Sequence, residues 1–177
     1  MTKHKPLPPL EQLQKLFEVD ATGRLLCKTR PHRHSRCKVG DEVGTLHPSG
    51  YRKVAVSGTA YFVHRIVWFL IYGEDPGVAQ IDHINRIRDD NRPENLRLAT
   101  SQQNKWNRSC LPHSKSGLRG IRKRFWGASY RWHVAVRGKH IGSFESEREA
   151  IAAWEQAVKP IAGEFFLPPD KNGSIIV

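Results

Sequence analysis

The 177-residue sequence has few sulfur-containing residues and no long apolar run. Its three cysteines, Cys27, Cys37 and Cys110, are few and cannot all pair with one another. This favours free thiols in a reducing compartment over a disulfide framework. No apolar segment approaches the roughly 20 residues that a membrane-spanning helix needs. The N-terminal segment lacks the apolar core of a signal peptide, so we expect an intracellular protein with no membrane partner.

Acidic residues are scarce overall and absent from one long segment. The chain has 29 Lys+Arg against 17 Asp+Glu, and its formal net charge is +12 at pH 7. No Asp or Glu occurs between Glu94 and Glu145, where Lys and Arg are frequent. Ordinary solvated surfaces mix both signs of charge, so this segment predicts a face that binds a polyanion. Because no helix pattern suits a membrane surface, nucleic acid is the polyanion that we expect.

Apolar periodicity predicts an α+β chain with several short elements in its first half. Helices are predicted at Pro8–Phe17 and Tyr61–Tyr72, and strands at Gly23–Lys28 and Tyr51–Val56. Further along, Gln80–Ile84 and Asn95–Ala99 read as two short strands joined by a polar loop. Thr100 and Gln103 form a capping-box pattern, so a helix is predicted to run from there to about Arg108.

The second half has a different pattern, which predicts a second domain. We place the first domain at residues 1–110, a Pro/Ser/Gly-containing linker at 111–116, the second domain at 117–168 and a tail at 169–177. Three antiparallel strands are predicted, at Arg119–Arg124, Arg131–Arg137 and Lys139–Phe144. The capping-box pair Ser146 and Glu149 starts a helix whose apolar stripe includes Trp154. Packed across the sheet, this helix leaves the other face for the Arg and Lys side chains.

Four polar residues in the middle of the chain have the chemistry of phosphodiester hydrolysis. That reaction needs a base for the nucleophile, a cation on the leaving 3′-oxygen and a group that orients the base. Asp82 and His83 are adjacent at a predicted strand end, Asn95 precedes the next strand, and Asn104 lies in the helix behind it. A strand–loop–strand–helix unit can gather all four around one metal ion. The oxygen donors of Asp82 and Asn104 suit Mg²⁺ or Mn²⁺ better than zinc.

The segment IDHINRIRDDNRPENLRLATSQQNKWN resembles the HNH nucleases, the ββα-metal endonucleases, and within them the phage homing-endonuclease branch. The resemblance implies that His83 is the general base and that Asn95 hydrogen-bonds and orients it. It also implies that Asn104, in the place of the last His of many relatives, binds the metal with Asp82. If a phage encodes the protein, the bacterial cytoplasm is the expected location.

The segment SGLRGIRKRFWGASYRWHVAVRGKHIGSFES and the helix after it resemble the Apetala/ethylene-response-factor DNA-binding domain. In that family a three-stranded sheet lies in the major groove, which implies double-stranded DNA as the partner. The residues that match its DNA-contacting positions are Arg119, Arg122, Arg124, Trp126, Arg137 and Lys139. Ala135 stands where the plant domains usually have Glu, so their target preference does not transfer.

The sequence leaves open one alternative metal site and two alternative functions. Cys27, His32, His34 and Cys37 are zinc-ligand types in one loop, although their spacing fits no common zinc finger. The protein could also be an inactive DNA-binding or regulatory derivative of a nuclease. An RNA-binding protein would have a similar charge, but no RNA-recognition or KH signature is present. The reading that accounts for most residues is a metal-dependent DNA endonuclease with its own DNA-binding domain, and nothing indicates an obligatory protein partner.

Overall fold

The structure, a computed structural model, describes residues 5–30, 37–107, 118, 120–166 and 168. The chain divides into two units, Met1–Ser101 and Gln102–Val177. Helices and strands occur in both, which confirms the mixed α+β class. The predicted linker at 111–116 and the tail at 169–177 lie outside the described residues, as do His32, His34, Cys110 and Arg119. Every helix within the described ranges is too short or too polar to span a lipid bilayer.

The N-terminal unit combines small antiparallel sheets with two helices. Its elements are α1 (Leu10–Leu16), β1 (Phe17–Val19), β2 (Leu25–Cys27), β3 (Thr45–Leu46), β4 (Arg52–Val56), β5 (Thr59–Phe62), α2 (Val63–Tyr72), β6 (Gln80–His83) and β7 (Leu96–Ala99). The sheets are β1–β2, β3–β4–β5 and β6–β7. A further helix, α3 (Ser101–Trp106), crosses the boundary between the units and ends two residues before the predicted Arg108.

Strand β5 corrects the predicted start of the second helix. Tyr61 and Phe62 belong to β5, and α2 begins only at Val63. Ser57 and Gly58 both have positive φ, which is the geometry of a tight hairpin turn between β4 and β5. The turn sets Tyr61 opposite Val54 in the sheet, so local apolar periodicity was overridden by strand pairing.

The core of the N-terminal unit lies between the two helices and the strands. It includes Leu13 of α1 and Ile66 of α2, both fully buried. Ile81 of β6 and Leu96 of β7 belong to the same cluster. The β6–β7 hairpin is therefore anchored in the core through one apolar residue on each strand, which fixes the residues that follow them.

The C-terminal unit consists of three antiparallel strands and one long helix. The strands are β8 (Ile121–Trp126), β9 (Ser129–Val136) and β10 (Lys139–Phe144), with β9 central, and the helix is α4 (Glu147–Ala162). The predicted capping box is present: Ser146 Oγ accepts from the Glu149 N–H, and the Glu149 carboxylate accepts from the Ser146 N–H, both at 3.2 Å. Trp132 and Trp154 are buried in a core between sheet and helix.

Candidate active site and nucleic-acid interface

Asp82 and His83 are the last two residues of β6. This position at the strand end allows both side chains to contribute to one site. Both side chains are buried, with only 4% of each residue exposed. The register pairs Asp82 with Arg97 and His83 with Leu96 on β7. Because His83 ends the strand, the alternation of side chains between the two faces stops there, and two neighbouring residues can both point inward.

One ring nitrogen of His83 has a defined partner, and that partner is Asn91. The distance between His83 Nε2 and Asn91 Oδ1 is 3.1 Å. An amide oxygen can only accept a hydrogen bond, so the proton of the neutral imidazole must be on Nε2. Nδ1 then has the lone pair. Burial lowers the pKa of His83, although the hydrogen bond that its ring donates to Asn91 and the charge of Asp82 act in the opposite direction. The imidazole is therefore neutral at pH 7 and can accept a proton.

Asn95 does not make the predicted hydrogen bond to His83. Its Oδ1 accepts from the Asn85 N–H at 2.9 Å, and its Nδ2 donates to the Asp90 carbonyl at 2.7 Å. Both partners belong to the loop between β6 and β7, so Asn95 ties the two ends of this loop together. The loop brings Asn91 to the His83 ring, while the buried Asn95 side chain is held by the loop backbone.

Two aromatic rings contact the His83 ring, and a third ring packs against both of them. The ring centroid of His64 lies 5.2 Å from that of His83 in an edge contact, and the ring centroid of Tyr51 lies 5.7 Å away. Phe62 stacks on His64 at 5.3 Å. Burial, followed by the charge of His83, lowers the pKa of His64 well below its ordinary value. His64 lies on α2, and nothing in the apolar period of that helix predicts its contact with the His83 ring.

Arg97 balances the buried carboxylate of Asp82. Its Nε lies 2.8 Å from Asp82 Oδ2, and both side chains are largely buried. Within the described part of the chain, no group of three or more His, Cys, Asp or Glu residues could hold a metal ion. The role of Asp82 as a metal ligand stays a prediction. Asn104 lies on α3, beyond the boundary of the N-terminal unit, and its role as a second ligand stays a prediction.

The second metal hypothesis involves two residues that the structure describes. Cys27 is buried and Cys37 half-buried, and both are present as thiols. Burial and the neighbouring Cys27 thiol raise the pKa of Cys37 to about 11. A thiol with such a pKa is protonated at neutral pH and is a poor metal ligand in that form. Zinc at this loop stays a prediction because its two histidines are outside the described residues.

Basic side chains gather on one face of the C-terminal sheet. Arg122 pairs with His133 and Arg124 with Arg131, whereas the neighbouring pair Ile121 and Val134 is buried against α4. Since alternate residues of a strand point to opposite sides, the two former pairs face away from the helix. We call the face with Arg122, Arg124, Trp126, Arg131 and His133 the basic face. Trp126 is 55% exposed, and its side chain extends this face at the end of β8.

Two of the predicted DNA-binding residues lie elsewhere. Arg137 occupies the β9–β10 turn with positive φ, and its guanidinium lies 5.6 Å from the centre of the Trp106 ring. Lys139 pairs with the buried Val136, which puts it on the α4 side of the sheet. Arg122, Arg124 and Trp126 are thus the predicted residues that the fold brings onto one surface.

Comparison with known proteins identifies the central segment. Residues 61–105 match a family model described as HNH endonuclease, and this range contains Asp82, His83, Asn95 and Asn104. A protein of Acanthamoeba polyphaga mimivirus, described as an uncharacterized HNH endonuclease, is 33% identical over 109 residues, which are 60% of this chain and 56% of the relative. The chain thus spans about half the length of that relative. No solved structure matches the chain. The segment that the sequence predicts to be an HNH endonuclease domain therefore coincides with the match to the family model.

Proposed function

We propose that the protein is a DNA endonuclease that hydrolyses phosphodiester bonds with His83 as the general base. The observation that supports this most directly is the 3.1 Å hydrogen bond between His83 Nε2 and Asn91 Oδ1, because it fixes both the orientation and the tautomer of a buried imidazole. The match of residues 61–105 to HNH endonucleases gives that imidazole its chemical context.

The proposed role of His83 follows from its neutral, tethered ring. Nδ1 accepts a proton from water as the water attacks phosphorus, and the ring becomes an imidazolium. The oxygen of Asn91 accepts from Nε2–H throughout, so its hydrogen bond strengthens as positive charge develops on the ring. Because the ring is already held in one orientation, no conformational entropy is lost in orienting it for the reaction. Proton transfer to a positioned base of this type increases the rate roughly 10²- to 10⁴-fold.

The donor set at this site fits a hard cation such as Mg²⁺ or Mn²⁺. HNH nucleases generally use a divalent metal ion, and magnesium sites commonly combine one or two carboxylates with water and substrate phosphates. Asp82 offers a carboxylate, and Asn104 is proposed to offer an amide oxygen. When bound there, the cation would neutralise charge on the leaving 3′-oxygen. Arg97 holds the Asp82 carboxylate in place at 2.8 Å and offsets the cost of burying its charge.

The C-terminal unit is proposed to bind double-stranded DNA through the basic face. Arg122 and Arg124 alternate along β8 and share one side with Trp126, so a charged and an aromatic surface can meet the same groove. Arg side chains bind phosphates and can pair in two ways with guanine. A reader domain that holds DNA raises the effective concentration of the nuclease at its target, which suits a site-specific homing endonuclease.

Cleavage of a supercoiled plasmid tests this function. We expect the full-length protein to convert the plasmid to open-circular or linear product in Mg²⁺ or Mn²⁺, and to give no product in EDTA. Products should have 5′-phosphate ends that a ligase can rejoin. An intact plasmid, together with intact genomic DNA of varied sequence and a clear gel shift, would contradict catalysis and support the inactive DNA-binding protein instead.

A further inference from the structure

Two histidines are stacked on the face of the C-terminal sheet that points away from α4. The ring centroids of His133 on β9 and His140 on β10 are 4.2 Å apart, and the ring planes are 20° from parallel. His140 pairs with Ala135, which is two residues from His133 on the same strand and therefore on the same face. The stacked pair thus belongs to the same surface as Arg122, the cross-strand partner of His133.

The surroundings of this pair are basic. The groups that act on His133 are His140 from β10 and Arg122 and Arg124 from β8. Of the other charged groups on the sheet, Arg131 is paired with Glu145 at 3.2 Å, and Lys139 is on the opposite side. Burial lowers the pKa of His133 first, and these cationic neighbours lower it further. Burial and these neighbours therefore favour the neutral form of His133 in the unbound protein.

We propose that the stacked pair of His133 and His140 is a phosphate-contact site that takes up a proton from solvent when duplex DNA binds to the basic face. Phosphates placed beside Arg122 and Arg124 reverse the sign of the local potential, so that an imidazolium is stabilised instead of repelled. The protonated ring can then donate a charge-assisted hydrogen bond to a phosphate oxygen, which a neutral ring does less strongly. This inference rests on the proposed DNA binding by the C-terminal unit.

Proton uptake makes DNA affinity depend on pH in a defined direction. Affinity increases as pH falls, because the bound state holds one more proton than the free state. Linkage limits the increase to about tenfold in the association constant for each pH unit and each proton. For one proton shared by the pair, we expect the association constant to be roughly tenfold higher at pH 6 than at pH 7.5.

Binding of a fluorescently labelled DNA duplex to the full-length protein, measured by anisotropy in EDTA at constant ionic strength, tests the proposal. His133→Gln and His140→Gln each remove one ring of the stacked pair, from β9 and from β10. His47→Gln is the matched control, because that exposed imidazole lies in the N-terminal unit with Ser49 as its partner. Circular dichroism verifies the fold of each variant. Titration calorimetry in two buffers of different ionisation enthalpy counts the protons directly.

The wild type and His47→Gln are expected to gain roughly tenfold in affinity between pH 7.5 and pH 6 and to take up about one proton. Each of the two sheet variants is expected to lose most of this gain, so that its affinity changes by less than about threefold between pH 7.5 and pH 6. Equal pH dependence in the folded variants and the wild type would overturn the inference but leave DNA binding intact. Absence of binding at every pH would instead overturn the proposed role of the sheet, and the inference with it.

Discussion

Gly23 supports the hydrogen bond that orients His83, although it lies far from His83 in the sequence. It occupies the turn between β1 and β2 with φ of +77°, and a Cβ atom there would lie 2.3 Å from Arg92 N and 2.4 Å from the Asn91 carbonyl carbon. Ordinary contacts of a Cβ atom are 3.4–4 Å. Since the obstacle is backbone and not a flexible side chain, Gly23→Ala must push the Asn91–Arg92 segment away by about 1 Å.

The size of the effect follows from the 3.1 Å distance between Asn91 Oδ1 and His83 Nε2. A displacement of about 1 Å would weaken or break this bond, and misplacement on that scale costs roughly 10² in rate. The positive φ adds about 1–2 kcal/mol of strain for any residue with a Cβ. We therefore expect Gly23→Ala to lower the rate of plasmid cleavage roughly a hundredfold and also to lower the melting temperature.

Gly58→Ala separates the two contributions. Gly58 has nearly the same φ, +78°, but no atom lies within 4 Å of its Cβ position. Gly58→Ala should show only the strain, with a smaller loss of melting temperature than Gly23→Ala and a cleavage rate near that of the wild type. Single-turnover conversion of supercoiled plasmid and thermal unfolding by circular dichroism measure both quantities. If the two alanine variants lose activity equally, or Gly23→Ala loses none, the proposed support of Asn91 is refuted.

Three further predictions concern side chains around the site. Asn91→Ala leaves the Nε2–H of His83 without its acceptor, an effect of about 1–3 kcal/mol, so single-turnover cleavage should slow by roughly ten- to hundredfold; an unchanged rate would exclude the orienting role. His64 is neutral in the fold but protonates below about pH 6.5 once unfolded, so the free energy of unfolding should fall below that pH by up to about 1.4 kcal/mol per pH unit. His64→Phe should reduce this dependence in urea titrations at pH 7 and 5, with His83 contributing the remainder; an unaltered dependence would contradict the prediction. Arg97→Met leaves Asp82 as a buried charge without this cation and should destabilise the protein by about 3–5 kcal/mol; an unchanged urea midpoint would show that the ion pair is unimportant.

The residue order of the site could be predicted from the sequence, but its contacts could not. Asp82 and His83 were placed at a strand end because an apolar strand and a polar loop meet there. The choice between Asn91 and Asn95 as the partner of His83 depends on the path of the intervening loop. That path includes a positive φ at Arg86, a backbone conformation that no local sequence pattern predicts. The close approach of Gly23 adds a long-range constraint that sequence spacing cannot express.

The fold shows the same division between local and long-range information. The α4 helix was recognisable from its capping box and apolar stripe, both of which are local. Strand β5 was missed because Tyr61 continues the apolar period of α2, and only its pairing with Val54 shows that it is extended. The contact of His64 with His83 likewise joins residues on α2 and β6, whose spacing in the sequence has no period that links them.

The central claim is that His83 is the base of a metal-dependent DNA nuclease. The most direct measurement is single-turnover cleavage of supercoiled plasmid in Mg²⁺ by the wild type, His83→Ala and the exposed-histidine control His47→Ala. If His83 is the base, the wild type and His47→Ala cut at similar rates, and His83→Ala, folded and still bound to DNA, is slower by roughly 10² or more. Cleavage by His83→Ala at the wild-type rate would show that His83 is not the base.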